Sequence, residues 1–415
     1  MASVVSKAFP TTVAAAVNLS YGKVSVYRAL HHILDYVSPA LPSLVKRGDR
    51  VLVKVNMGCS GARAPESRLT THPAVTEEII KALLDCGAIV CFGDDVARAG
   101  RYREAIYEAT GMRDVSKRTG AKILDFVASG AREVRGGLTY PRKYLVTNAY
   151  FDADVVVNAA SCRSHVGIGI SGALKNMFGC VIGLRKQLIH NLFPRDPRSF
   201  GRTIADIYRT IPATISFLDL TTVAEAAGIS LEVRPVGLML GGTDAVALDT
   251  VAAHAIGYEG LGLWASHFGA KSGVGCNRME QIAIRGVDWD RIDHPSLAHP
   301  CTSLVGGLPV YDRITARLNH TLLRPRPVVD INKCTSCGDC APSCPVGSIS
   351  AAVGKAVRID LSRCVDCGCC IKTCELDAVQ LQFVGLARFL RLAARHSIVP
   401  PEAKAQSFFD PSPGR

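Results

Sequence analysis

Eight cysteines near the C-terminal end constrain this chain more than any other feature. Cys334, Cys337, Cys340 and Cys344 form C-x2-C-x2-C-x3-C, followed by Pro345. Cys364, Cys367, Cys370 and Cys374 repeat that spacing. Soft thiolates two residues apart on a tight loop suit the irons of a [4Fe–4S] cube. C-x2-C pairs also build zinc ribbons. Four thiolates per run, in this compact spacing and twice over, fit the cube instead.

The repeat is longer than the cysteines. Val329-Asp330-Ile331-Asn332-Lys333-Cys334 aligns with Ile359-Asp360-Leu361-Ser362-Arg363-Cys364. Each half reads as a short strand, a cysteine loop and a helical turn. From about Pro327 to Phe383 the stretch resembles the two-cluster bacterial ferredoxins. In that pattern the fourth cysteine of each run ligates the other cube. The resemblance therefore implies one cluster on Cys334, Cys337, Cys340 and Cys374, and a second on Cys364, Cys367, Cys370 and Cys344. Two departures stand out. Glu375 occupies a position where the pattern has proline, which puts a carboxylate near one cluster. Cys369 is an additional thiol in the second loop and is read as a bystander, because the ligand set is complete without it.

A chain of 415 residues has room for one large domain beside this small one. The expected division is an α/β domain over 12–290, a connecting segment over 291–326, the ferredoxin domain over 327–383 and a C-terminal helix and tail over 384–415. Apolar residues make up 48%, enough for a well-packed core. Most of the sixteen cysteines lie in the cluster runs, which argues for a reducing compartment rather than a disulfide scaffold. No apolar run is long enough to span a bilayer, and Met1 to Pro10 lacks a signal-type core. A cytoplasmic location is expected. The formal charge is +12. Two oxidised cubes with their thiolates, at about −2 each, lower that to roughly +8. The excess suits a soluble, acidic electron donor or acceptor, or an anionic small-molecule substrate. No basic stretch with interleaved aromatics appears, so nucleic acid is not expected.

Before the cysteine runs, strand and helix signals alternate. The expected fold class is α/β, with a large open, mostly parallel sheet plus the small α+β ferredoxin-like domain. Strands are predicted over Val51–Asn56, Ala88–Phe92, Asp154–Val157, Thr214–Leu218 and Val236–Leu240. Helices are predicted over Pro73–Cys86, Ser171–Phe178 and Asp244–Ile256. Polar groups fall where the strands end: Lys54 and Asn56, Asp94, Asn158, Asp219 and Asp244. In open parallel sheets, ligands bind beyond the carboxyl ends of the strands. Asp94 and Asp244 also read well as turn and cap residues. Lys54, inside an apolar run, must be paired or face a cleft.

The segment from Asn158 to Asn191 is dense in glycine and in protonatable groups. Gly167, Gly169 and Gly172 match G-x-G-x-x-G, but neither the strand context nor the later acidic residue of a dinucleotide site is present. A more general anion cradle fits, with a helix N-terminus offering amides. Arg163, His165, Lys175, Arg185, Lys186 and His190 surround it. Lys54, His165, Lys175 and His190 are the candidate catalytic residues, and the three glycines the candidate cofactor or ligand contacts.

Several short pieces in order resemble a known family, domain of unknown function 362. They are Val53-Lys54-Val55-Asn56, Thr71-His72-Pro73, Val156-Val157-Asn158, Ser171-Gly172-Ala173-Leu174-Lys175-Asn176, Ala205-Asp206-Ile207, Asp219, and Gly242-Thr243-Asp244 with Ala247 and Asp249. They cover most of residues 12–260. The family commonly has proline where Val55 stands. Where this chain reads Ala160-Ser161-Cys162-Arg163-Ser164-His165, it commonly has proline–lysine–leucine–lysine–threonine–histidine. The resemblance implies a frequent partnership with a two-cluster ferredoxin module but supplies no single reaction.

Three functions compete. The first is an iron–sulfur oxidoreductase relaying electrons to a substrate on the α/β domain. The second is an electron carrier that docks another redox enzyme. The third is a structural role for the clusters. Polar residues at several strand ends favour the first. Val384 to His396 reads as a basic amphipathic helix, and His294, His299, Cys301 and His320 show no metal-ligand spacing.

Overall fold

In the computed structural model, the described residues are 11–58, 70–96, 103–126, 128–136, 143–165, 168–182, 189, 197–227, 230–258, 262–297, 326–341, 344, 347–355, 357–364, 370–371, 374 and 376–382. Among them the α/β domain contributes strands β1 (Thr11–Val17), β2 (Arg50–Lys54), β3 (Ile89–Asp94), β4 (Lys122–Asp125), β5 (Ala131–Arg135), β6 (Lys143–Thr147), β7 (Val155–His165), β8 (Gly169–Ser171), β9 (Ile215–Ala227), β10 (Ser230–Gly242) and β11 (Ile282–Arg285). Its helices are α1 (Lys23–Tyr36), α2 (Leu41–Leu44), α3 (Pro73–Asp85), α4 (Arg103–Ala109), α5 (Met112–Thr119), α6 (Asn148–Phe151), α7 (Ala173–Asn176), α8 (Pro197–Thr210), α9 (Ala245–Ala255) and α10 (Trp264–Lys271).

The strands form one sheet in the order β11-β1-β10-β9-β7-β2-β3-β4, with β8 added on β7. The sheet is mixed, with parallel ladders in the majority and antiparallel ones at β10 and β8. Parallel ladders join β11 to β1 and run through β9, β7, β2, β3 and β4. β10 is antiparallel to both β1 and β9. The cause is local: β9 turns straight back into β10 as a long hairpin, and a hairpin can pair only antiparallel.

Alternation along the strands builds a three-layer sandwich. Val13, Ala15, Leu52, Val156, Leu218 and Leu240 face a core closed by α7, α8 and α9. Ala14, Ala16, Val51, Val53, Val157, Phe217 and Met239 face the opposite core, closed by α1, α3 and α5. Sequence signals mark the helix ends well. The His72 side chain accepts the Ala74 amide at the start of α3 and Pro73 follows it, while Gly87 lies just past the end at φ 79°. Asp244 caps α9, accepting from Ala247 N at 2.9 Å.

The strands reach further than their apolar runs. β7 and β9 continue through polar residues to His165 and Ala227, because each finds a ladder on both sides. Asn158 and Asp219 therefore sit inside strands rather than at their ends.

The small domain has two ribbons. β12 (Arg326–Val329) pairs with β15 (Val379–Gln382), and β13 (Ile349–Ser350) pairs with β14 (Arg358–Ile359), both antiparallel. The strand entering the first cysteine run is thus paired with the strand leaving the second. Its apolar residues Cys340, Cys344, Ile349, Cys370 and Val379 are continuous with the core on the α9 face of the large sheet. The predicted helix over 384–396 and the tail lie outside the described residues. Among the described residues no helix is long and apolar enough to cross a membrane.

Leu240 is fully buried near the end of β10. Leu240→Ala is expected to cost about 2–5 kcal/mol, read as a lowered urea midpoint at unchanged slope.

Candidate functional site

The sheet edge at the ends of β2 and β3 holds a buried ion pair. Lys54 has 0% and Asp94 4% of its surface exposed. Lys54 Nζ lies 2.8 Å from Asp94 Oδ1 and donates to Val55 O at 2.5 Å. Asp94 also accepts the amides of Met57 and Asp95, each at 2.8 Å. Lys54 is therefore paired rather than open to a cleft, and Asp94 is more than a turn residue. Gly179 covers the pair: a Cβ there would collide with Lys54 Nζ and Asp94 Oδ1.

A neutral network adjoins it. Asn176 Nδ2 donates to Asn158 Oδ1 at 2.7 Å and to Lys54 O at 3.1 Å. Asn158 Nδ2 donates to Ala173 O at 2.9 Å and to Ser216 Oγ at 3.2 Å. Lys54, Asn158 and Asn176 are thus brought together, from β2, β7 and α7.

The predicted anion cradle at Gly172 is occupied by the chain's own carboxylate. Asp249, from α9, accepts Ala173 N at 2.6 Å and Leu174 N at 3.1 Å. A Cβ on Gly172 would meet that carboxylate, so glycine is needed for the approach. Burial pushes Asp249 up to about 7 against the pull of the two amides, and nearby Asp244 adds to the rise. Burial also raises the buried Cys162 thiol, with Asp249 and Asp219 contributing.

On the other face of the sheet, Tyr21 donates its hydroxyl to buried Asp219 at 2.9 Å, and its ring stacks on His72 at 3.8 Å. Thr71 donates to Ala159 O at 2.8 Å, tying the start of α3 to β7. Nothing in the local sequence links Tyr21, His72 and Asp219; tertiary packing brings them together.

The remaining candidates lie apart from the ion pair. His165 ends β7, half-buried, its ring stacked on Phe200 at 5.9 Å. Seven strand steps separate it from Asn158, roughly 23 Å at strand rise. Gly169 pairs with His165 across the β7–β8 hairpin and has φ 74°. Arg163 pairs with Ser171, next to Gly172, and Lys175 is half-buried on α7. Gly167, His190, Arg185 and Lys186 lie outside the described residues.

The cysteine module shows the crossing that a two-cube site needs. Pairing of β12 with β15 carries Cys374, just before β15, to the first run. Burial pushes the Cys340 thiol up to about 11, and Cys337, Cys334 and Cys374 act on it as neighbours. Those four thiols are the set expected for one cube. Thiols so grouped give up their protons when a cationic iron core takes the sulfurs. Ser336, inside the first C-x2-C, has φ 57°, as a tight loop requires. The second set has Cys344 and Cys370 buried and Cys364 half-buried, while Cys367, Cys369 and Glu375 lie outside the described residues. Among the described residues no three His, Cys, Asp or Glu side chains are gathered as a single metal ion requires. A cube is a larger body, with its four thiolates at the outer corners.

Fold and site together define an α/β domain with a self-paired polar edge, joined to a dicluster iron–sulfur module. Residues 51–254 match the family model "Domain of unknown function (DUF362)", and residues 326–375 match that of a 4Fe-4S dicluster domain. The chain thus carries a region matching the DUF362 domain, followed by a C-terminal ferredoxin-type module. The thylakoid-associated protein sll1697 of Synechocystis sp. is 29% identical over 233 residues, which are 56% of this chain and 70% of that protein. Among solved structures, the lactate racemase apoprotein from Thermoanaerobacterium thermosaccharolyticum aligns with a TM-score of 0.40 at 14% identity. The alignment covers 60% of this chain and 57% of that one.

Two outcomes follow from the buried charges. Lys54→Met leaves Asp94 buried without its cation and is expected to cost about 3–5 kcal/mol in urea unfolding, whereas Lys54→Met with Asp94→Leu is expected to recover much of it. For Asp249, the raised value means the folded state keeps a proton that the unfolded chain releases between about pH 4 and pH 7. Its contribution to stability is full below that window and is lost as pH rises through it. Asp249→Asn is expected to flatten the fall in urea stability between about pH 5 and pH 7.

Proposed function

We propose that the protein relays low-potential electrons through two [4Fe–4S] clusters to an anionic small molecule bound on the α/β domain. The crossed pairing of the module, with Cys374 beside Cys334, Cys337 and Cys340, is the observation that carries this reading. Bound cubes would supply one-electron chemistry; full cysteine ligation leaves no open iron position, so relay is their natural role. The chain's own residues would set the burial and hydrogen bonding of each set of thiolates and bind the partners. A soluble carrier would deliver the electrons, in the cytoplasm.

On the α/β domain the acceptor would meet the β7–β8 hairpin and α7, where Arg163, His165 and Lys175 present charge and a transferable proton. Gly167, Gly169 and His190 are further candidate contacts from the sequence. Lys54 would act from beneath, holding the sheet edge in place through Asp94 and Asn176. The formal charge of +12 supports attraction of an anion.

A second reading has its own support. Lys54 is paired, and the amides at α7 are taken by Asp249, so much of the polar edge is satisfied internally. An electron carrier that docks a separate redox enzyme needs no more than that.

The deciding experiment is anaerobic purification with iron and sulfide analysis, then EPR after dithionite reduction and reoxidation by a panel of carboxylates and phosphate esters. About eight irons and eight sulfides are expected, with one class of anion reoxidising the protein. Full iron with reoxidation only by a protein partner would shift the reading to the carrier. Zinc, or fewer than about six irons, would remove the cluster assignment.

A further inference from the structure

The two halves of the iron–sulfur module are one unit used twice, so each half is a control for the other. Their backbone bonds match. Asp330 Oδ1 accepts the Asn332 amide and Asp360 Oδ1 the Ser362 amide, both at 3.0 Å. Asp330 N donates to Ala378 O and Asp360 N to Ser348 O, both at 2.7 Å. The Ser348 amide donates to Cys344 Sγ and the Ala378 amide to Cys374 Sγ, both at 3.2 Å. At the sulfur the match fails at a side chain. Ser348 places a buried hydroxyl 3.2 Å from Cys344 Sγ, and its counterpart Ala378 has no hydroxyl to offer.

We propose that Ser348 sets the reduction potential of the centre ligated by Cys344 without moving that of the centre ligated by Cys374. The proposal rests on the two-cluster reading above. With a thiolate at Cys344, the hydroxyl of Ser348 is the donor. Reduction adds one electron, taken from the external donor, and breaks no bond at Ser348. The added charge is shared by the ligating sulfurs, so a donor aimed at Sγ binds more strongly after reduction and favours it. Solvent exposure also enters. Cys344 is buried and Cys374 half-buried, and burial opposes the added negative charge. The Ser348 hydroxyl thus offsets a penalty that falls mainly on its own centre.

The test is an anaerobic potentiometric titration of the full-length holoprotein, followed by EPR, with iron content measured on the same samples. Ser348→Ala is expected to lower one midpoint and leave the other in place. A tenfold loss of reduced fraction at fixed potential corresponds to about 59 mV for a one-electron couple. The reciprocal Ala378→Ser places a hydroxyl where the duplicated unit already accepts one, and is expected to raise the other midpoint by a similar amount. Full iron in Ser348→Ala with both midpoints unmoved, or with both moved equally, overturns the proposal while leaving the relay reading intact. If Ser348→Ala loses iron, Ala378→Ser decides: a rise in one midpoint supports the proposal, and no change overturns it. Fewer than about six irons in the unaltered protein removes the two-cluster reading, and this proposal with it.

Discussion

A lysine with no exposed surface must meet an anion, and that need organises the edge of the sheet. Asp94 answers it from the neighbouring strand at 2.8 Å. The same carboxylate takes the Met57 amide, so the chain leaving β2 is bent over the end of β3. Gly179 then closes over both charges, since any larger residue would displace them. Asn176 reaches back to the carbonyl of Lys54 itself. Three segments distant in sequence are fixed against one another by a pair whose breakage would strand a charge in low dielectric. Desolvation of each ion opposes the pair by several kcal/mol, so its contribution lies less in net stability than in excluding other arrangements of these loops.

Asp249 obeys the same rule with a different partner. A short helix N-terminus offers two amides, and a carboxylate from α9 takes them before any ligand can. Charge-assisted hydrogen bonds of this kind contribute about 1.5–3 kcal/mol each, less than the cost of burying the ion, and the group accordingly titrates near neutrality. The polar residues of the sheet edge are therefore mostly committed to one another. Chemistry with an outside molecule would have to draw on half-buried side chains beside them, such as Arg163 and His165 on β7 and Lys175 on α7.

The cysteine runs were legible because their chemistry is local: a ligand set is written in spacing. Helix ends at Pro73 and Asp244 were legible for the same reason, through caps and proline. Strand extent was not. Nothing in Asn158 to His165 looks like a strand by apolar content, and it becomes one because ladders on either side supply its backbone bonds. The mixed sheet was hidden likewise, since the direction of β10 depends on the hairpin with β9. Gly172 announced close approach to an anion, and the anion proved to be Asp249, which takes the next residue's amide from 76 residues away, a pairing that local pattern cannot specify. Lys54 announced a partner without naming Asp94. In each case sequence showed that a need existed, and tertiary packing chose what met it.

Duplication explains why the module's geometry is dependable and why, in the two-cluster reading, its two centres need not be alike. Crossed strand pairing follows from joining two copies of one unit, so both thiolate sets come from the same fold. A relay gains from centres that share geometry but differ in electron affinity, and the cheapest change is one that leaves the backbone ladder untouched. Serine against alanine at positions 348 and 378 is such a change: the amide-to-sulfur bond persists in both halves while one hydroxyl is added. Proline against glutamate at 345 and 375 is a second difference at the same level. Both lie within four residues after the fourth cysteine of a run, which in the proposed assignment is the ligand that each half gives to the other's cube. In that assignment, changes there would act on one centre while its other three thiolates, held by the opposite loop, stay in place.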